Sequence, residues 1–417
     1  MKKTFLLSCL MLAAMPVMAA YTGRVYVDKN KNGVFDPGEK TWAGIKVSDG
    51  LNVVETAADG SFTLPGHERE RFIFITTPSG YKTFNRHYHK IEEKQSGYDF
   101  GLMPYSGRIR KDGSHKYIHI ADTEIFNTEN HEDWVNNVRD YARNEQAAFI
   151  IHTGDICYEK GLKAHIKLMN TENMDCPVFY CIGNHDLVKG KYGEELFESI
   201  YGPVYYSFDA GNVHYVVTPM PGGDHAPGYT SDDVCRWLKN DLAHIRPGTP
   251  VVVFNHDLLT YEDTFIFKSK NAGSINLNEY NLKAWVYGHW HINYMKKQGD
   301  VYSVCTSSLD KGGIDHSTTA FRVMHVDSKG DFTSELRYTY LDKNICIASP
   351  AGVMASGVLP VAVNVYSSVS PVREVLYTCL ADGKPVLKNK RLLQSTDWSW
   401  NGELPLSHKY VGKELTL

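Results

Sequence analysis

The stretch Val178-Phe179-Tyr180-Cys181-Ile182-Gly183-Asn184-His185-Asp186 joins an apolar run to residues that can bind metal. Four other apolar runs end in the same way: Tyr117-Ile118-His119-Ile120 before Asp122, Ala148-Phe149-Ile150-Ile151 before Gly154-Asp155, Val251-Val252-Val253-Phe254 before Asn255-His256, and Ala284-Trp285-Val286-Tyr287 before Gly288-His289-Trp290-His291. Runs without polar alternation predict strands that are covered on both faces. Helix-like stretches at 131–145 and 231–244 lie between them, so we expect an α/β domain.

The candidate ligands all follow the carboxyl end of a predicted strand. Ligand sites in α/β sheets gather at that edge, so we expect these side chains to converge. Glycines beside Asp155, Asn184 and His289 permit the tight backbone turns that convergence needs. The repeated placement therefore predicts one shared site.

The residue types at these strand ends suit a metal centre. Carboxylates and imidazoles bind Zn, Mn or Fe, and a carboxylate can bridge two ions. Two such ions would hold a phosphate oxygen, generate hydroxide near neutral pH and stabilise an in-line displacement. A single histidine such as His256 would more often pack in a core. Together with Asp155 and Asn184, however, the histidines favour metal binding.

In this order, the motifs Asp122-Thr123-Glu124, Gly154-Asp155, Gly183-Asn184-His185-Asp186, Asn255-His256 and Gly288-His289-Trp290-His291 resemble those of the calcineurin-like metallophosphoesterases. The resemblance implies an α/β fold with a four-layer αββα core, here flanked by small all-β domains, and a dinuclear centre. Asp155 would bridge both ions. The remaining ligands would be Asp122, Glu124 and His291 for one ion, and Asn184, His256 and His289 for the other. His185 would be the general acid or would contact phosphate, oriented by Asp186.

The first motif departs from the family, which usually has histidine where this chain has Glu124. A carboxylate is harder than imidazole and favours Mn, Mg or Ca over Zn. Two arrangements remain open: Glu124 binds metal, or it points to solvent and leaves that ion loosely held. We expect two divalent transition-metal ions, Mn, Fe or Zn, as cofactors.

Changes in sequence pattern divide the chain into four segments. Residues 1–19 predict a signal peptide, with Lys2 and Lys3 before an apolar run. That run is shorter than the ~20 apolar residues of a membrane span, so cleavage is favoured over an anchor. Residues 20–105 and 346–417 show the short alternating runs of β-domains, and the second is small enough to be incomplete. Residues 106–345 form the α/β domain. We expect export to the periplasm, the cell surface or the extracellular space.

The net charge and the number of cysteines limit which ligands and which disulfide pairings are expected. Without Lys2 and Lys3 the chain has 42 basic and 48 acidic side chains, a net charge of −6. Basic residues form no block, which makes nucleic acid an improbable partner. We expect a small-molecule, lipid or glycan phosphate ester as substrate, and no transmembrane segment after the signal. Seven cysteines follow the signal peptide, so at least one stays free or pairs with another molecule.

A second metal motif lies in the first β-domain, at Asp28-Lys29-Asn30-Lys31-Asn32-Gly33-Val34-Phe35-Asp36-Pro37-Gly38-Glu39. It fits the calcium-loop template, with the predicted ligands Asp28, Asn30, Asn32, the Val34 carbonyl, Asp36 and Glu39. Because the flanks read as strands, the segment resembles the calcium-binding B-type β-sandwich repeats of surface adhesins. We expect Ca²⁺ to stabilise the module. The alternative is a hairpin turn without metal.

These features predict an exported, metal-dependent phosphoesterase of the EC 3.1 type that uses a metal-bound hydroxide. Phosphodiesters are slightly favoured, because no cluster of Lys or Arg near the motifs is available for a dianionic monoester. The alternative is a catalytically weak or inactive cell-envelope binding or adhesion protein that works through its β-modules. Tyr158 could border the substrate, and the loop at 221–228 could either border the substrate or be a plain surface turn. His119 and His152 are expected to pack in the core.

Overall fold

The computed structural model describes residues 20–95, 97–341, 343–353 and 357–417. The predicted signal peptide at 1–19 lies outside these residues. The chain divides into two compact units. Among the described residues, the first comprises those between 20 and 76 and between 83 and 103, and the second comprises those between 77 and 82 and between 104 and 417.

Short strands with apolar inner faces build the first unit. In chain order, the strands up to residue 104 are β1 (Tyr21–Val27), β2 (Lys46–Ser48), β3 (Val53–Glu55), β4 (Ser61–Leu64), β5 (Phe72–Ile75), β6 (Tyr81–Thr83), β7 (Tyr88–Lys90) and β8 (Phe100–Pro104). Strand β1 pairs antiparallel with β4 and parallel with β8. Strand β5 pairs antiparallel with β2 and β7, and β2 pairs with β3. Val25, Val47 and Ile73 are fully buried between them.

The second unit begins with an α/β core. Its elements are β9 (His115–Ile120), α1 (Glu132–Asn144), β10 (Phe149–His152), α2 (Tyr158–Leu168), α3 (Thr171–Met174), β11 (Val178–Tyr180), α4 (Glu195–Tyr201), β12 (Tyr206–Ala210), β13 (Val213–Val217), α5 (Ser231–Ala243), β14 (Val251–Phe254), β15 (Ile266–Lys268), β16 (Ser274–Asn276), β17 (Leu282–Tyr287), β18 (Tyr294–Gln298), β19 (Val301–Cys305), β20 (Ala320–Val326) and β21 (Phe332–Tyr338). Short 3-10 turns occupy Ser106–Arg108, Asn184–Asp186 and Leu277–Tyr280.

Two mixed sheets form this core. Their strand orders are β11-β10-β9-β20-β21 and β12-β13-β14-β17-β19-β18. The five apolar runs identified in the sequence are β9, β10, β11, β14 and β17, and each pairs in parallel with a neighbour. The helices predicted at 131–145 and 231–244 are α1 and α5. The predicted α/β core is therefore confirmed.

Aromatic side chains pack the two sheets face to face. The ring of Tyr117 on β9 stacks on Phe149 of β10 with centroids 4.7 Å apart, and it meets Phe254 of β14 at 5.8 Å. Phe179 on β11 stacks on Phe208 of β12 at 3.8 Å. Alternate residues of β9, β10 and β11 point the other way and join a core with helices α1 and α2.

Helix α5 lies against the second sheet. Its Asp241 carboxylate accepts hydrogen bonds from Ser207 on β12 and from His214 on β13, both at 2.8 Å. Helices therefore cover the outer face of each sheet, as a layered α/β architecture requires.

The remainder of the second unit is all-β. It contains β22 (Asn344–Ser349), β23 (Gly357–Tyr366), β24 (Leu376–Ala381), β25 (Lys384–Arg391), β26 (Leu393–Gln394), β27 (Ser399–Leu406), a 3-10 turn at His408–Tyr410 and β28 (Leu415–Thr416). Its sheets have the orders β22-β23-β27-β26 and β25-β24-β28, and Cys379, Trp400 and Leu404 lie in their shared core. Arg373 binds the buried Glu145, which follows α1, at 2.9 Å.

The cysteines and the helices bear on disulfide formation and on membrane insertion. Of the seven cysteines among the described residues, all carry free thiols, and Cys346 alone is exposed. Within the described part of the chain, no helix combines the length and apolar character needed to cross a membrane.

Candidate metal centre

The backbone at the predicted ligands adopts a conformation that side chains rarely tolerate. Five of them have left-handed φ angles: Asp122 (52°), Glu124 (46°), Asp155 (55°), His289 (65°) and His291 (50°). Each such residue costs on the order of 1–3 kcal/mol and persists only where its surroundings impose it. Strain concentrated at the ends of three strands marks a functional edge of the sheets.

Asp155, His256 and His289 form one half of the centre. Their ligand atoms all lie within 4.8 Å of one another. His256 Nε2 lies 3.1 Å from both Asp155 Oδ2 and Asn184 Oδ1. Its Nδ1 lies 2.7 Å from the Thr153 carbonyl, which can only accept, so Nδ1 donates a hydrogen bond there and Nε2 faces the centre.

Asp122, Glu124 and His291 form the other half. His291 Nε2 lies 3.5 Å from Asp122 Oδ1 and 3.3 Å from Glu124 Oε1. The Glu124 carboxylate also binds Lys311, and its side chain is only 18% exposed. Glu124 therefore faces the centre in this structure and does not extend into solvent.

Burial makes the negative charge of the carboxylates in this centre costly. Burial raises the pKa of Asp122 to about 7, against the opposing charge of His256. Burial would lower the pKa of His256, but the charges of Asp155 and Asp122 outweigh it and raise that pKa to about 9. The protonated His256 thus compensates two buried carboxylates. Divalent cations would supply the same compensation, and the carboxylate, amide and imidazole donors fit them.

The carboxylates of Asp186 and Asp224 have different hydrogen-bond partners. The buried Asp186 carboxylate accepts hydrogen bonds from the backbone amides of Asp155, Cys157 and Gly183 at 2.8–2.9 Å. The acid that binds the His185 ring is Asp224, with Oδ2 2.8 Å from Nδ1. Asp224 therefore contacts the His185 ring directly, whereas backbone amides hold Asp186 inside the core.

The loop at 221–228 reaches the centre, as the sequence suggested it could. The Asp224 amide donates to the Asn184 carbonyl at 3.1 Å. A Cβ at Gly223 would lie 2.3 Å from that same oxygen, so only glycine permits this approach. Sequence reasoning located the loop but not Asp224, because the pairing with His185 spans 39 residues.

Aromatic rings flank the centre on the side of His185. Phe126 and Tyr158 are 52% and 42% exposed, and their rings lie nearly parallel with centroids 6.2 Å apart. The Tyr158 hydroxyl lies 3.4 Å from His185 Nδ1. Tyr158 has a φ of 53°, which is strained for an aromatic residue. This exposed pair borders the space next to His185.

Three further residues near the centre were assigned no site role from the sequence. The Cys157 thiol lies within 4.8 Å of the carboxylates of Glu124 and Asp155, and burial raises its pKa, so it is a neutral thiol. Trp290 Nε1 donates to Asp257 Oδ1 at 3.0 Å, between the two histidines of its motif. Lys311, which binds Glu124, is 187 residues away in sequence. Patterns among neighbouring residues do not predict contacts between residues so far apart in sequence.

His119 and His152 lie among packed polar groups. His119 is fully buried and bonds to Thr153 and Thr306 through its two nitrogens, at 2.8 and 2.7 Å. His152 bonds to the Thr123 hydroxyl at 3.0 Å. Both histidines use their ring nitrogens in this network, as expected of core residues.

The calcium-type loop also brings its oxygen donors together. Asp36 Oδ2 accepts hydrogen bonds from Asn30 and Asn32 at 2.7 and 2.8 Å. Asp28 Oδ2 accepts from the Gly33 amide, and Glu39 Oε1 accepts from the Lys29 amide, both at 2.8 Å. Strand β1 precedes the loop directly, so the motif does not belong to a helix-loop-helix unit.

Two family sequence profiles match the chain. The profile described as calcineurin-like phosphoesterase matches residues 115–293, and the profile described as the N terminal of calcineurin-like phosphoesterase matches residues 29–105. Together they cover more than half of the 417 residues. Among curated proteins, the chain is similar to purple acid phosphatase 13 of Arabidopsis thaliana, with 26% identity over 215 residues. That alignment covers 48% of this chain and 36% of the relative, so the chain spans about a third of the relative's length.

Solved structures with similar folds include a novel archaeal phosphodiesterase, with 13% identity, 53% of this chain and 99% of that chain covered, and a TM-score of 0.28. Another is a putative 5'-nucleotidase from Staphylococcus aureus, with 11% identity, 54% of each chain covered, and a TM-score of 0.33. These scores are low, and the family assignment rests on the sequence profiles. The chain belongs to the calcineurin-like phosphoesterases, a family of metal-dependent phosphoric ester hydrolases.

Proposed function

We propose that this chain hydrolyses a phosphate ester at a centre of two divalent metal ions. The observation that carries the proposal is that Asp155 belongs to both groups of metal-capable side chains. One group contains His256 and His289, and the other contains Glu124 and Cys157. A carboxylate shared by two sets of donors suits a bridging position between two ions.

The distances support a division of the other ligands between the two ions. His256 lies beside Asp155 and Asn184, whereas His291 lies beside Asp122 and Glu124. We therefore assign Asn184, His256 and His289 to one ion, and Asp122, Glu124 and His291 to the other. Mn, Fe or Zn fits these donors, and the extra carboxylate of Glu124 favours Mn.

Two bound ions would supply Lewis acidity at the phosphoryl oxygens and an activated water. The protein's own contribution is a proton for the departing alkoxide, which we assign to His185. Asp224 holds its Nδ1, so Nε2 is the nitrogen available for transfer. Burial acts to lower the pKa of His185, but the bond to Asp224 and nearby carboxylates raise it above its ordinary value. His185 can therefore hold a proton near neutral pH.

A phosphodiester is the favoured substrate class. A monoester dianion carries a second negative charge that benefits from additional cations. Lys311 lies beside the centre, but Glu124 already neutralises it. The flank next to His185 is formed by Phe126 and Tyr158, whose exposed rings suit the uncharged part of a leaving group.

The direct test compares two chromogenic esters, bis-p-nitrophenyl phosphate and p-nitrophenyl phosphate. Mature protein is stripped with a chelator and then given Mn²⁺, Zn²⁺, Mg²⁺ or Ca²⁺, with bound metal counted by elemental analysis. We expect two ions per chain and faster turnover of the diester. Folded protein that binds two ions without hydrolysing either ester would contradict the catalytic proposal. Faster monoester turnover would overturn only the substrate class.

We also propose export, on the basis of the signal-type sequence at 1–19. Mass spectrometry of protein from the periplasmic and extracellular fractions should find an N-terminus at Ala20. Recovery solely in the cytoplasm with residues 1–19 still attached would contradict export.

The loop at 28–39 is proposed to bind a structural Ca²⁺ ion. The side chains of Asn30 and Asn32 already contact the Asp36 carboxylate, and Ca²⁺ prefers the carboxylate and amide oxygens that these residues carry. Adding Ca²⁺ to chelated protein should raise the melting temperature of the first unit, and Asp36→Asn should weaken this response. Equal responses to Ca²⁺ in both proteins would place the ion elsewhere.

A further inference from the structure

The first unit contains a cavity of about 480 Å³, within the size range of small-ligand sites. Its lining includes Phe84, Arg86, Tyr88, His89, Asp99 and Phe100. All of these residues belong to the first unit, whereas the ligands of the candidate metal centre belong to the second. The cavity is therefore a separate feature that the phosphoesterase proposal does not use.

Aromatic rings form the apolar part of the cavity. The rings of His89 and Phe100 lie 4.7 Å apart, and both Phe100 and Tyr88 are buried. The Phe84 ring packs closely against the Gly33 backbone, because a Cβ at Gly33 would lie 2.6 Å from it. Of the four aromatic side chains, Phe84 and His89 are half-buried and so are the ones that a ligand can reach. Rings that are held in place before a ligand arrives lose little entropy on binding, so these two offer a preformed surface for a flat apolar face.

Polar groups of opposite charge complete the cavity. Arg86 donates to the Tyr88 hydroxyl at 2.7 Å and meets no acidic partner among the described residues. Asp99 Oδ1 accepts a hydrogen bond from the Arg24 backbone amide at 2.8 Å, and the Asp99 side chain is exposed. An anionic ligand would be repelled by Asp99, and a cationic ligand by Arg86. The pair suits a neutral ligand whose groups both donate and accept hydrogen bonds.

We propose that this cavity binds a neutral carbohydrate. A sugar ring presents an apolar C–H face to the aromatic rings and hydroxyls at its edge. Each hydroxyl can donate to the Asp99 carboxylate and accept from the Arg86 guanidinium. The enzyme would then carry a carbohydrate-binding module next to its catalytic domain in sequence, and binding would hold it on a glycan surface.

Binding is tested by calorimetry on the full mature protein. The neutral probes are maltotriose, cellotriose and chitotriose, and the comparison probes are inorganic phosphate and adenosine. We expect at least one trisaccharide to saturate the protein below about 10 mM. Arg86→Ala and Asp99→Asn should each weaken that binding by about tenfold, the size of one lost polar contact. Lys90→Ala, on the same β7 segment and outside the lining, should bind normally.

The outcomes separate this site from the metal centre. Hydrolysis of the soluble chromogenic esters should be unchanged in all three variants, and the melting temperature shows whether each variant is folded. Failure of all three trisaccharides to bind folded protein would overturn the proposal. Binding that survives both Arg86→Ala and Asp99→Asn would do the same. Phosphate binding that depends on Arg86 would identify an anion site, and adenosine binding that depends on the cavity would identify a base-stacking site. Both results would replace the carbohydrate assignment.

Discussion

Two buried clusters in the α/β core both combine histidine with acidic side chains, but they differ in how completely these polar groups are paired. In the first, His214 bonds to Asp209 through Nδ1 at 2.7 Å and to Asp241 through Nε2 at 2.8 Å. Both ring nitrogens are satisfied, so the cluster is complete. In the second, the candidate metal centre, His256 Nε2 lies 3.1 Å from Asp155, burial raises the pKa of Asp122 to about 7, and the backbone is strained. A histidine with two acids therefore does not by itself indicate a metal.

The position in the sheet explains the difference. His214 lies near the start of β13, where the backbone is regular and α5 covers the side chain. The candidate metal ligands follow the ends of parallel strands, where loops leave the sheet and side chains can face an open cleft. Buried carboxylates at such an edge are what a bound cation would compensate.

The largest expected effect comes from replacing one acid in each cluster. Asp155→Asn should lower kcat/KM by roughly 10³-fold, because the charge shared by both ligand groups is lost and several kcal/mol of stabilisation go with it. Asp209→Asn, the matched change in the complete cluster, should leave kcat/KM near normal. Ester hydrolysis and metal content are measured for both variants. Similar losses of activity in the two would show that the comparison is wrong.

A second pair of substitutions distinguishes the roles of Asp224 and Asp186, the two acids near His185. Asp224→Asn should reduce kcat by roughly 10²-fold, the lower end of general-acid contributions, with metal content and melting temperature nearly unchanged. Asp186→Asn should instead lower stability by about 2 kcal/mol, because an amide cannot accept from all of its backbone partners.

Measurements of kcat, bound metal and thermal unfolding on both variants distinguish these roles. If Asp186→Asn reduced kcat while stability and metal content stayed normal, the orienting role would belong to Asp186 after all.

The complete cluster around His214 should make the free energy of unfolding depend on pH. Burial acts to lower the pKa of His214, but the charges of Asp241 and Asp209 and their hydrogen bonds raise it above the ordinary value. A raised folded-state pKa gives stability that is fully present below the unfolded pKa of about 6.5 and is lost as pH rises through the folded pKa.

We therefore expect His214→Gln to lose about 3 kcal/mol of unfolding free energy near pH 6 and less near pH 9. Denaturant unfolding of both proteins at the two pH values tests this. If the difference in unfolding free energy between the two proteins increased with pH, the His214 ring would be neutral in the native state.

The smallest effect is expected at the edge of the metal centre. Lys311→Met removes the cation that holds Glu124, and its side chain is 45% exposed. Exposed pairs contribute 0–1 kcal/mol, so the metal affinity should change by no more than about fivefold. Because the Glu124 carboxylate then no longer shares its charge with Lys311, the affinity should rise. A large fall in affinity would show that Lys311 positions Glu124 as a ligand.

Much of the architecture was predictable because its signals are local. Apolar runs without polar alternation predicted β9, β10, β11, β14 and β17, and the helical stretch at 231–244 corresponds to α5 at Ser231–Ala243. The convergence of their terminal residues also followed from chain order, since parallel strands present their carboxyl ends at one edge. The family motifs lie entirely within these locally readable segments.

The sequence by itself therefore determined the apolar strands of the core, and it predicted the candidate ligands of the metal centre. Only the tertiary structure decided that Asp224 binds His185, that Lys311 binds Glu124, and that Asp186 turns inward to backbone amides. The physical reason is distance along the chain. Hydrophobic periodicity records which side chains are buried locally, whereas the partner of a polar group depends on which distant loop the fold brings within about 3 Å.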